Sequence, residues 1–197
     1  MHDLSQPVAI IIPTLDAQRA EPVAAAALAS AGHPARVIVA DGPARGFTRT
    51  VNAGLQQLRA GEDVCLLNDD IDTETFGKGW LMHLRLGLYL RSGHYGLVGP
   101  RPKGTPAYRG VRPAHDIAFW CVLLRREVVD TLGPLDERFT HYFSDYVYCA
   151  RIRAAGWQIG RVGTVLLRHK GRGSGKTARQ WWDADLVLWE QYNANGE

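Results

Sequence analysis

Three short apolar runs constrain this chain more than any other feature. "PVAIIIPT", "ARVIVADG" and "DVCLLNDD" are rich in Ile, Val and Leu, and each ends in a polar or proline-containing turn. Unbroken runs of this length predict parallel strands buried on both faces. Helix-like stretches separate them. In "EPVAAAALASAG", Pro22 suits a first turn and Gly32 suits a stop. In "FTRTVNAGLQQLRAG", Val51, Leu55 and Leu58 share one helical face. Strand–helix–strand–helix–strand is the order of a parallel sheet in an α/β fold.

The second half reads less regularly. "FGKGWLMHLRLGLYLRSG" predicts a helix, and "YGLVGPR" and "IAFWCVLL" predict strands. Between those strands lies "RPKGTPAYRGVRPAHD", a connection long enough to suggest a function. "RREVVDTLG" and "SDYVYCARIRAAG" read as helices and "WQIGRVGTVLLRH" as an interrupted strand. "TARQWWDADLVLWEQY" closes the chain as a helix, with Trp182, Leu186 and Trp189 at helical spacing. No repeat or linker composition divides the 197 residues, which predicts a single domain, 1–197.

Composition removes several classes. At 46% hydrophobic residues the chain is globular and not disordered. Its net charge of +3 is compatible with an anionic small molecule or a polyanion and selects neither. Cys65, Cys121 and Cys149 are far apart in apolar surroundings, so they form neither a zinc-type pair nor a disulfide framework. Reduced thiols of this kind suit a cytoplasmic protein. The amino terminus has no signal-peptide pattern, and no run approaches the roughly 18 apolar residues of a membrane span.

One stretch, "HKGRGSGKT", imitates a phosphate-binding P-loop. The pattern requires a glycine five positions before Gly175, where this chain has Lys170. Gly171 comes one residue too late. Only about 20 residues follow, too few for later strands bearing a magnesium-binding carboxylate. A P-loop triphosphatase is therefore disfavoured.

Carboxylates gather after the strands: Asp41 after the second, and Asp69, Asp70 and Asp72 after the third. Open α/β sheets bind ligands outside the carboxyl ends of their strands. Clustered carboxylates there repel one another unless a cation compensates them. Hard oxygen ligands suit magnesium or manganese, which in turn bind phosphate oxygens.

Taken in order, "IIPTLD", "VADG", "GFTRTVNAGL", "VCLLNDDID", "FWCVLLRREVVDTLGPLDERF" and "SDYVYCARIRAAG" closely resemble the family 2 glycosyltransferases, particularly their rhamnosyltransferase-like branch. The resemblance spans roughly residues 8–175. It implies an α/β GT-A fold: a Rossmann-like nucleotide-binding half near 8–101, with a mixed central sheet flanked by helices. An acceptor-binding half and donor lid would follow at about 102–177, and a C-terminal helix at 178–197.

The implied activity is inverting, metal-dependent transfer of a hexose or deoxyhexose from a UDP-, GDP- or dTDP-sugar to a hydroxyl acceptor. The resemblance implies that Pro13, Thr14 and Asp16 form the turn holding the base, with Asp41 accepting from a base N–H. Asn52 would face the nucleotide or sugar, and Arg45 and Arg49 are candidate phosphate contacts. Asp70, helped by Asp69 or Asp72, would hold Mn2+ or Mg2+ with His169. Both registers, Asn68-Asp69-Asp70 and Asp70-Ile71-Asp72, remain open. Lys170, Arg172 and Lys176 would contact the diphosphate from a mobile lid. Asp145 would be the general base, and Asp136 would support the acceptor site.

The chain departs from the family pattern at Ser144, where a glutamate is usual, and at Val147, which replaces an acid. Ser144 keeps a non-catalytic nucleotide-sugar-binding or scaffold protein open as an alternative. A nucleotidyltransferase is a second alternative, though "PTLDAQRAEP" lacks the glycines such enzymes carry after the first strand. Modified phage DNA as the acceptor is a further variant.

Overall fold

The structure is a computed structural model and describes residues 6–42, 46–90, 93–171 and 179–194. The first half runs β1 (Val8–Thr14), α1 (Ala17–Ser30), β2 (Ala35–Asp41), α2 (Gly46–Leu55), β3 (Asp63–Leu67), α3 (Trp80–Leu88) and β4 (Tyr95–Pro100). The second runs β5 (Val111–Pro113), β6 (Cys121–Leu124), α4 (Arg126–Leu132), α5 (Ser144–Ala154), β7 (Gln158–Val162) and α6 (Trp182–Ala194). Single 3-10 turns lie at Thr73–Thr75 and Arg179–Trp181.

The strands form one mixed sheet in the order β2-β1-β3-β6-β4-β7-β5. β6 runs antiparallel to both β3 and β4, and β5 runs antiparallel to β7. β1, β2, β3, β4 and β7 consequently point the same way, and their carboxyl ends share one rim.

Side-chain alternation along β1 explains the layers. Ile10 and Ile12 pack with Ala20 and Val23 of α1 and Leu81 and Leu84 of α3. Ala9 and Ile11 pack on the other face with Val51 of α2, Val128 of α4 and Ile152 of α5. All three isoleucines are fully buried, each contributing about 1.5–3 kcal/mol relative to exposure. Gly54 lets α2 lie against β1, because a Cβ there would come 2.5 Å from Ile11 Cγ2.

Local differences from the sequence reading have physical causes. α1 starts at Ala17 because Asp16, in an extended conformation, accepts a hydrogen bond from Gln18 N (2.9 Å) and caps it. Pro22 therefore sits inside the helix and not in its first turn. The long connection after β4 contains the short edge strand β5. Beyond Val162 the chain leaves the sheet. It is held back toward the rim by Arg101 N donating to Val165 O (3.0 Å) and by a bridge between Ile71 and His169. In α6 the buried residue is Asp185, while Trp182 is 41% exposed.

Candidate active site

A cleft of ≈ 220 Å³ opens at the shared rim. Pro13 and Thr14 from the end of β1 form one wall, and Asn68, Asp69 and Asp70 after β3 form its floor. Phe47, His141, Tyr142 and Trp181 add aromatic surface, and His169 closes one side.

The acidic cluster divides its work. Asp69 accepts from Thr14 Oγ1 (2.7 Å) and lies 3.5 Å from Arg19 Nη2, which ties it to β1 and α1. Asp72 caps the Thr73–Thr75 turn by accepting from Glu74 N and faces Arg168 at 3.4 Å. Asp70, only 8% exposed, faces His169: its Oδ1 lies 2.7 Å from His169 Nε2. Asn68 Nδ2 stands 3.3 Å from the same ring nitrogen.

Backbone pairing brings His169 there. Asp72 N donates to Arg168 O (2.8 Å), and Lys170 N donates to Asp70 O (3.0 Å), so the two segments run as a short antiparallel bridge. Trp120 stacks on the imidazole with centroids 5.5 Å apart and planes 7° from parallel. Asn68 N in turn donates to Trp120 O (2.9 Å).

Among the described residues, no three His, Cys, Asp or Glu side chains are arranged to hold a metal ion. The Asp70–His169 pair nevertheless fits a cation that takes part of its shell from water and phosphate oxygens. Mg2+ in nucleotide sites is commonly held by only one or two carboxylates plus the substrate.

Asp145 lies at the start of α5 and outside the cleft's lining. Its Oδ2 accepts from Phe119 N (3.4 Å) and its Oδ1 from Tyr146 N (3.0 Å). Burial pushes its carboxyl above the usual range, against the pull of these backbone bonds. The residue before the helix, Phe143, has φ 65°, which among the described non-glycine residues is a unique left-handed conformation. Phe119 and Trp120 connect Asp145 to the His169 side of the site, because adjacent residues touch the two groups.

Other sequence candidates stand apart from the cleft. Asp16 is the α1 cap. Asp41 is exposed at the end of β2, beside Thr14 in register. Arg49 is 59% exposed and lies 3.4 Å from Glu137. Asn52 is buried: its Nδ2 donates to Leu135 O (2.9 Å) and Glu137 Oε1 (3.0 Å), and its Oδ1 accepts from Leu135 N (2.9 Å). It staples α2 to the segment that precedes the Phe139–Phe143 turn. Asp136 is paired with Arg138 (2.7 Å). Burial raises its carboxyl, but the Arg138 hydrogen bonds outweigh that and hold it below the usual range. The Lys170 side chain is exposed beside the cleft. Arg45, Arg172 and Lys176 lie outside the described residues.

Asp185 was missed in the sequence. Only 1% exposed, its carboxylate accepts from the backbone N–H groups of Thr140, His141 and Tyr142, each at 2.8 Å. It thereby fixes the turn that presents His141 and Tyr142 to the cleft. His141 also stacks on Trp181, with centroids 5.6 Å apart. Burial pulls the His141 imidazole below its usual range, while the Asp185 charge works against that. A signal existed: Asp185 falls on the apolar stripe marked by Trp182, Leu186 and Trp189, where an acid needs a partner.

No family profile matches the chain. Over 97 residues it is 32% identical to N-acetylglucosaminyl-diphospho-decaprenol L-rhamnosyltransferase of Mycobacterium tuberculosis, in two strains. The match covers 44% of this chain and 32% of the relative, so the chain spans about a third of the curated relatives' length. Among solved structures it resembles GalNAc-T7 with UDP, GalNAc and Mn2+, at TM-score 0.58 and 11% identity. That likeness covers 95% of this chain and 50% of the other. It also resembles A197 from STIV, at TM-score 0.52 and 9% identity, covering 83% and 85% of the two chains. At such low identity the shared property is the fold, and that fold is GT-A.

Proposed function

We propose that this chain transfers a sugar from a nucleoside diphosphate sugar to a hydroxyl acceptor, with inversion and with the help of a divalent cation. The observation that carries this reading is the Asp70–His169 pair, 2.7 Å apart in a cleft at the carboxyl ends of the strands. The M. tuberculosis relative, named as a rhamnosyltransferase, and the UDP and Mn2+ of the GalNAc-T7 structure support it.

In this reading, Asp70 and His169 would hold Mn2+ or Mg2+, which would supply positive charge to offset the negative charge growing on the departing diphosphate. Trp120 and the Ile71–His169 bridge fix the imidazole so that its nitrogen stays aimed at the carboxylate. Pro13 and Thr14 line the donor side, and Asp69, tied to Thr14, holds that wall in place. Asp145 stands outside the lined cleft, so the acceptor would enter from the Phe119 side for this carboxylate to take its proton as the acceptor oxygen attacks the anomeric carbon and the diphosphate departs from the opposite face. Its raised pKa makes it a stronger base than an ordinary aspartate, and such catalysis contributes about 10²–10⁴-fold.

The test is binding and turnover of UDP-, GDP- and dTDP-sugars with and without Mn2+. Metal-dependent binding with slow release of the nucleoside diphosphate is expected. Failure of every donor to bind in either condition would overturn the proposal. Ser144, buried at the position before Asp145, favours a second reading, a nucleotide-sugar-binding protein without turnover. Tight donor binding with no release under any condition would select it.

A further inference from the structure

We propose that the face formed by α3 and β5 docks on an anionic lipid bilayer. This inference is independent of the transfer reading. It starts from charge. Between Glu74 and Asp116 the chain contains no acidic residue at all. That stretch supplies α3, β4, β5 and the connection between the last two. Lys78, Lys103, Arg109 and Arg112 are exposed within it, and none of them forms an ion pair among the described residues. Arg112 instead lies over the Tyr108 ring at 4.1 Å.

The second observation is apolar exposure on the same elements. The inner stripe of α3, Leu81, Leu84 and Leu88, is fully buried. Its outer stripe would ordinarily be charged. Here it continues through Leu86, which is 49% exposed, to Leu90 just past the helix, 37% exposed. With His83, Gly110 and Val111 these leucines line an open groove of ≈ 240 Å³. Arg109 directly precedes Gly110 and Val111, while Arg112, the next residue along β5, turns to the other face of the sheet and stacks on Tyr108.

Exposed leucines inside an acid-free basic surface match a bilayer interface. The leucines enter the acyl boundary while the cations meet phosphate headgroups. A second protein could cover the groove, but it would have to bring acids to these cations. A second copy brings this same acid-free face if the contact is isologous. No helix among the described residues is long and apolar enough to cross a membrane, so the attachment proposed is peripheral.

The test is co-sedimentation of the full chain with vesicles of phosphatidylcholine alone or of phosphatidylcholine with phosphatidylglycerol, without any donor. Binding to the anionic vesicles only is expected, weakening as salt rises. Arg109→Glu combined with Lys103→Glu should weaken it by about tenfold or more, and Leu86→Asp should do likewise. All three positions are exposed, so circular dichroism should show each variant folded. No binding to anionic vesicles, or equal binding to both kinds, would overturn the proposal. So would a dimer in solution that Leu86→Asp dissociates, which would assign the face to self-association. Loss of donor binding would leave this result untouched, so the two readings fail separately.

Discussion

His169 Nε2 stands 2.7 Å from Asp70 Oδ1, and the backbone of Lys170 donates to the carbonyl of that same aspartate. The pair is therefore held twice, once through side chains and once through the short bridge that carries them. Trp120 adds a third restraint by stacking on the imidazole. A site built this way would lose little entropy if, as proposed, a cation replaced the direct contact, because both groups already point at one place.

If Asp70 and His169 hold the ion as proposed, Asp70→Asn and His169→Ala should each weaken Mn2+-dependent binding of a nucleoside diphosphate by about tenfold or more, since even an outer-shell partner of a metal ligand is worth about 10–100-fold. Mn2+ should also quench Trp120 fluorescence in the parent protein and much less in either variant. Asp72→Asn should leave both signals nearly intact, since Asp72 faces Arg168 and the Thr73–Thr75 turn. Equal losses for Asp72→Asn and Asp70→Asn would place the ion elsewhere.

If Asp145 is the base as proposed, Asp145→Asn should abolish transfer while donor binding persists, because a base acts on the acceptor. The pH dependence follows from burial, which raises the Asp145 carboxyl in the folded chain. A raised folded pKa gives a stabilising contribution that is present below the unfolded pKa and lost as pH rises through the folded one. At neutral pH the ionised carboxylate is thus a cost, which Asp145→Asn removes while giving up one of the two backbone hydrogen bonds, so the variant should melt within a few degrees of the parent. The parent's transfer rate should fall on acidification at a pH above the ordinary aspartate range near 3.8. A melting temperature several degrees lower for Asp145→Asn would show a structural role.

Asp185→Ala should destabilise the fold by roughly 2–5 kcal/mol, because it leaves three backbone N–H groups without their carboxylate. Asp183→Ala, two residues earlier and exposed, should cost no more than about 0.5 kcal/mol. Donor affinity should also fall for Asp185→Ala, since the His141–Tyr142 wall loses its anchor. Chemical denaturation and donor titration check the two effects separately.

What was legible in the sequence follows the range of the interactions. The order of β1, β2 and β3 and the position of the acidic cluster come from local runs and their turns, and each was readable. Which carboxylate faces His169 was not, because spacing allows Asp69, Asp70 or Asp72 equally. The choice is made by Thr14, which takes Asp69, and by Arg168 and the 3-10 turn, which take Asp72. The start of α1 was misplaced because Pro22 is a louder signal than the Asp16 cap. Asp185 escaped although it sits on the apolar helical stripe, because its partners are backbone groups of residues 140–142, more than 40 positions away in sequence.

Asn52 makes the sharpest contrast between a donor contact and a structural staple. Its amide is buried and gives both ends to the Leu135–Glu137 segment. Asn52→Ala should therefore cost roughly 2–4 kcal/mol of stability, through lost hydrogen bonds and a cavity. Donor affinity measured well below the melting point should stay close to that of the parent. Asn52→Asp separates the alternatives further. It keeps an acceptor for Leu135 N but loses the donor to Leu135 O, and it sets a second carboxylate against Glu137, whose Oε1 lies 3.0 Å from the present amide. Two carboxylates that close cannot both ionise cheaply. The aspartate variant should be the less stable of the two at neutral pH and regain part of the loss as the medium is acidified and one of the pair takes a proton. A variant with parent-like stability at neutral pH and weakened donor binding would instead make Asn52 a ligand contact.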